Sequence, residues 1–116
     1  MNATAPDLTT TPPRSGREML GRYAWLARLA DKARAKHAGT EGDYVAYCPL
    51  STGFLDRAGV SVDEFDERIR DGTQDADLVS WFDERVSDAQ REAANRFVLE
   101  EMASHLDEQD AEEGRA

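Results

Sequence analysis

The chain has 116 residues, 40% of them apolar and 33% charged, with a net charge of −10, one cysteine and two histidines. That length supports one domain around a single modest core. One cysteine excludes an internal disulfide and an intrachain thiolate cluster, and the short apolar runs exclude a bilayer-spanning segment.

The charge is unevenly laid out. Residues 1–40 hold seven cations against three anions, a balance of +4, and residues 41–116 hold seven against 21, a balance of −14. Only two of the 14 cations are lysine. A salt-adapted proteome and a GC-rich genome both produce this usage, and much of the acid excess serves solubility. The N-terminus lacks a charged-then-apolar leader, so the expected location is cytoplasmic.

In chain order, residues 1–14 read as an extended arm, because Thr9-Thr10-Thr11-Pro12-Pro13 is β-branched and proline-rich. Leu8 is its only apolar anchor. Ser15-Gly16-Arg17-Glu18 has the pattern of a capping box and predicts a long helix over 16–37, ended by Gly39. At 100° per residue, Met19, Leu20, Tyr23, Leu26, Ala27, Ala30, Ala33 and His37 share one face. Arg17, Gly21, Trp25, Arg28, Lys32 and Lys36 share the opposite one. Residues 38–50 are irregular, punctuated by Gly39, Gly42 and Pro49, with Tyr44, Val45 and Tyr47 able to form one short extended piece. Shorter helices follow at 52–58, 62–71 (capped by Ser61 with Glu64), 75–86 and 88–107 (capped by Ser87). The last residues, 108–116, read as an acidic, frayed tail.

Across this span the chain resembles a bacterial family known as a domain of unknown function, numbered 5069. The likeness is carried by Asp7-Leu8-Thr9, Pro13-Arg14-Ser15, Leu29-Ala30-Asp31-Lys32-Ala33-Arg34-Ala35, Gly42-Asp43-Tyr44 and Cys48-Pro49-Leu50 with Phe54-Leu55. Gly59-Val60, Glu64-Phe65 and Trp81 extend it, so that it covers roughly residues 7–82. In that family an acid often follows Cys-Pro-Leu, and here Ser51 stands at that position. The resemblance implies no activity.

Four groups of residues are candidates for chemistry. Arg28, Lys32 and Lys36, spaced by four, form a basic ridge with Trp25 beside them and Arg14 and Arg17 extending it, suited to an acidic or phosphate-bearing partner. The plainer alternative is an outer face that is solvated or paired with the acidic helices. The loop 42–50 gathers Tyr44, Tyr47 and Cys48, and Cys48 becomes a candidate nucleophile if His37 or His105 stands by to take its proton; otherwise it is a small packed thiol. Both histidines fall on apolar faces, where a buried histidine is a base, a ligand or simply a hydrogen-bonding group. The acid clusters Asp63-Glu64-Asp66-Glu67, Asp75-Asp77, Glu100-Glu101 and Asp107-Glu108 lack calcium-loop spacing, and several sit where helix N-termini favour negative charge.

The expectation is therefore all-α: four to five helices with a long N-terminal helix, in a single domain over 15–107. No metal and no cofactor is expected. The leading functional expectation is a non-enzymatic binding or adaptor protein using Arg17, Trp25, Arg28, Lys32, Lys36, Tyr44 and Tyr47. Its partner would be a protein, a second copy of the chain, a nucleic acid or a phosphate ligand. The alternative is a small-molecule site or enzyme around Tyr44, Tyr47, Cys48 and a histidine.

Overall fold

The computed structural model describes residues 4–115 and is all-helical, as the sequence patterning implies. Six α-helices run in chain order: α1 Leu26–Ala38, α2 Pro49–Ala58, α3 Val62–Arg70, α4 Asp75–Arg85, α5 Asp88–Arg96 and α6 Ala103–Glu112. A single π-helical segment, Phe97–Glu101, joins α5 to α6. No strand occurs among the described residues; the nearest approach is one isolated bridge, Leu20 to Tyr23.

Local chemistry explains the middle helices. Ser61 and Glu64 form a reciprocal capping box at the head of α3, and Ser87 and Gln90 form another at α5. The acids Asp63, Glu64, Asp75 and Asp77 lie in first turns, where the helix dipole favours them. Pro49 sits at the first position of α2, with Cys48 as its N-cap, so α2 starts three residues earlier than the expected 52–58.

The long N-terminal helix is not there. Residues 15–25 are turns, and α1 begins only at Leu26. The Ser15 hydroxyl accepts from the Arg17 amide at 3.2 Å and donates to Asp110 at 2.8 Å, while the Glu18 amide bonds the Ser15 carbonyl. Two glycines explain the difference. Gly21 has φ +60°, which ends a helix, and a Cβ on Gly16 would lie 2.6 Å from the Trp25 ring. Trp25 then enters α1 with φ 71°, an outlier for a bulky residue.

This shift of start turns the first helix inside out. Every residue of α1 from Leu26 to Ala35 is buried, so α1 is the central helix and not a surface one. Phe82 of α4 anchors the aromatic core, with the rings of Tyr23, Phe54, Phe65 and Trp81 at 5.2, 6.3, 6.1 and 5.5 Å. The arm closes over α1: Leu8 is buried, its amide donates to the Thr40 carbonyl at 2.8 Å, and Arg14 binds Asp31 and Asp75. Residues 1–3 of the arm lie outside the described residues.

The expected helix over 88–107 is interrupted by the π segment, and the expected frayed tail is mostly helix. Residues 108–112 complete α6, and the Glu113 side chain is only 7% exposed. The acidic sequence is held by cations from far upstream: Arg17 binds Asp107 and Asp110, and Arg28 binds Glu113.

Candidate functional site

The burial of α1 decides the fate of the basic ridge. Trp25, expected on an outer face, is fully buried, and its indole N–H donates to the Ser51 hydroxyl at 3.0 Å. Arg28 and Lys32 are 2% and 3% exposed. Arg28 grips both oxygens of Glu113 in a two-pronged pair at 2.8 and 2.7 Å. Arg17 remains at the surface but is held by Asp107 and Asp110, in a cleft of about 690 Å³ that Arg115 also lines. Lys36 is exposed and lies over the Tyr47 ring at 5.2 Å. No continuous ridge faces solvent.

The same burial joins two groups that the sequence kept apart. Arg28 and Lys32 of α1, Tyr44 and Cys48 of the loop, and Gln109 and Glu113 at the end of the chain line one cleft of about 520 Å³. The Lys32 ammonium lies 3.6 Å from the Cys48 sulfur and 5.2 Å above the Trp25 ring. Ser51 Oγ lies 3.5 Å from the same sulfur. Cys48 is also the N-cap of α2, which sets it beside the Leu50 and Ser51 amides at the head of that helix without a side-chain cap hydrogen bond to them.

The electrostatics follow from these neighbours. Burial pushes the Cys48 thiol up, but Lys32, the Ser51 hydroxyl and the two amides together bring it below the ordinary thiol value. Burial pulls the Lys32 ammonium below its ordinary value, opposed by the sulfur it faces. Arg28, Tyr44 and Arg115 outweigh burial at Glu113 and hold that carboxyl below its ordinary value. Tyr44 donates to Glu113 at 3.0 Å, and its ring carries the Arg28 guanidinium at 5.7 Å. Two polar atoms of the lining have no partner among the described residues: Arg28 Nε and Gln109 Oε1.

The histidines take no part. His37 pairs its Nε2 with Asp66 at 3.0 Å, on the same carboxylate oxygen that accepts from the Tyr47 hydroxyl. Tyr47, raised well above its ordinary value by burial and by Asp66, therefore belongs to a separate cluster on α3. His105 is exposed on α6, contrary to its expected place on an apolar face. The neighbour that Cys48 was expected to find in a histidine is Lys32. The sequence reading missed Ser51, Gln109 and Glu113. Proline directly after Cys48 was the available signal for Ser51, since it marks the first turn of a helix. Among the described residues no three His, Cys, Asp or Glu side chains gather as a metal site, and no helix is long and apolar enough to cross a membrane.

A compact helical fold with a thiol–ammonium contact in a surface cleft is what comparison with known proteins has to fit. The chain matches the family described as Domain of unknown function (DUF5069) over residues 10–115. The chain belongs to that family, and the match takes in α5 and α6 as well as the region that shows the resemblance. No curated protein matches the chain.

Proposed function

We propose that this protein works on a small molecule in the cleft between α1, the 42–48 loop and α6, with Cys48 as its nucleophile. The observation that carries this reading is the Lys32 ammonium, 3% exposed and 3.6 Å from the Cys48 sulfur at the head of α2. An adjacent cation and a helix N-terminus both favour the thiolate, which is the reactive form. Tyr44, Arg28 and Glu113, joined by mutual hydrogen bonds, form a wall of the same cleft. Less supports a binding or adaptor role through the basic ridge, because Trp25 and Arg28 are turned inward and Arg17 is already paired, which leaves Lys36 and the 42–50 loop as its surface. A reducing, cytoplasmic setting suits a single working thiol.

The test is the pH dependence of Cys48 alkylation by iodoacetamide in the folded protein. The charged groups of the cleft are Lys32 beside the sulfur and Arg28, Asp43, Glu112 and Glu113 along the lining. The expected profile has its midpoint below that of free cysteine. Lys32→Met moves the midpoint up and slows alkylation several-fold at neutral pH, with Cys48→Ser as the blank. A Cys48 that reacts only after denaturation, or with an ordinary thiol profile, would remove this reading.

A further inference from the structure

Resting on the reading of Cys48 as a working thiolate, the cleft also indicates a substrate class. We propose that Cys48 reduces a hydroperoxide, with Lys32 as the proton donor to the departing oxygen. The sulfur attacks the terminal OH oxygen of ROOH; an S–O bond forms and the O–O bond breaks. The attacked oxygen carries its own hydrogen into the sulfenic acid, and the sulfur gives up two electrons to the peroxide. The leaving RO⁻ takes a proton from the Lys32 ammonium and departs as ROH. Two equivalents of an exogenous thiol then return Cys48 to the thiol, releasing a disulfide and water. Cys48 is the only cysteine in the sequence, so the reductant comes from outside the chain.

Charge bookkeeping in the cleft favours this reaction type. Once the sulfur becomes neutral, a buried ammonium would be left without its counter-ion, a costly arrangement. Handing its proton to the leaving group leaves both partners neutral. A substrate whose leaving atom must be protonated therefore suits the pair, and an alkoxide or hydroxide leaving from O–O cleavage is such an atom.

The lining also argues for a neutral, small substrate. Both terminal nitrogens of the Arg28 fork are taken by Glu113, so Arg28 is not available to hold an anionic substrate by charge. Within the wall, Arg28 Nε and Gln109 Oε1 are buried without a partner among the described residues, and the exposed residues Asp43 and Glu112 add two carboxylates to the lining. Carboxylates along the lining disfavour an anion, and a hydroperoxide is neutral.

The experiment compares two reactions of the same thiol. Folded protein is treated with hydrogen peroxide or tert-butyl hydroperoxide, and the sulfenic acid is trapped with dimedone and located by mass spectrometry. Iodoacetamide alkylation, whose iodide leaves without a proton, is measured in parallel. The expected result is a dimedone adduct on Cys48, formed about 100-fold faster than in the denatured chain, the scale of general-acid assistance. Lys32→Arg keeps the positive charge but releases no proton, so the ratio of the peroxide-oxidation rate to the alkylation rate falls about 100-fold. Should that variant misfold, the unmodified protein still answers through the solvent deuterium effect, which is expected on oxidation and absent from alkylation. Fast alkylation with no adduct, or oxidation at the denatured rate, overturns the peroxide assignment and leaves the thiolate reading standing. Slow alkylation together with slow oxidation removes both. A Lys32→Arg protein with the wild-type ratio of the two rates, or oxidation without a solvent effect, overturns the role of Lys32.

Discussion

Removing Glu113 strands the Arg28 guanidinium in a nearly dry site, whereas removing Arg28 leaves Glu113 with Arg115 and Tyr44. The Arg28 and Glu113 side chains are 3% and 7% exposed, so water cannot take over the lost hydrogen bonds. Glu113→Gln is expected to cost about 3 kcal/mol in urea unfolding, the lower end for a buried pair left half-made. Replacing both residues together, Arg28→Met with Glu113→Leu, is expected to cost less than Glu113→Gln alone, because the cation then left without Glu113 is Arg115, whose side chain is 32% exposed. A Glu113→Gln protein within about 0.5 kcal/mol of wild type, the range of ordinary surface substitutions, would mean that the Arg28–Glu113 pair is solvated after all. This pair was not legible in the sequence. Arg28 read as surface because its helical phase places it opposite Leu26 and Ala30, which means outward only for a helix with one side in solvent. Glu113 read as tail because its partner is 85 positions away.

At the scale of elements, what was legible was what is local. The start of α3 follows from Ser61 and Glu64, whose mutual bonds lie within four residues. Ser61→Ala is expected to lower stability by about 1 kcal/mol by thermal or urea denaturation, as loss of a working N-cap does. An unchanged midpoint would show that the Arg85–Glu64 bridge, at 2.8 Å, holds that end of the helix instead. The same Ser-x-x-Glu pattern at Ser15 failed. There the backbone must turn at Gly21, and Gly16 must stay bare to meet the Trp25 ring, which is a tertiary demand no four-residue window contains. The loop carrying Cys48 was recognised as the irregular stretch where site residues concentrate. Its partner was not, because identifying Lys32 required knowing which side of α1 faces that loop.

For the whole molecule, the placement of titratable groups sets a pH window. Asp66, Asp75 and Glu113 are held below their ordinary values despite burial, through Tyr47 and His37, Arg14 and Arg34, and Arg28 respectively. A carboxyl depressed in the folded state contributes stability that is present above the unfolded value, about pH 4, and is lost as pH falls. Tyr23 works in the other direction. Burial and its 2.7 Å bond to Asp83 push its phenol up to about 12. Between about pH 10, where the unfolded phenol ionises, and about 12, the folded state holds the extra proton, so stability falls as pH rises. Thermal melts are expected to show a plateau at neutral pH with losses at both ends, and Tyr23→Phe is expected to make the alkaline limb shallower, the rest being carried by Tyr44 and Tyr47, whose phenols are also raised. A Tyr23→Phe protein with the wild-type alkaline slope would assign that limb to other groups.

Trp25 has an optical consequence. The chain has two indoles, and they lie in different fields: Trp25 is fully buried with Lys32 at 5.2 Å, while Trp81 lies between the guanidinium groups of Arg68 and Arg85. Any event that discharges the Lys32–Cys48 contact changes the field across the first ring and leaves the second one as it was. With Trp81 replaced by Phe, the emission colour of one buried fluorophore becomes a running voltmeter for the cleft, built into the protein and needing no label.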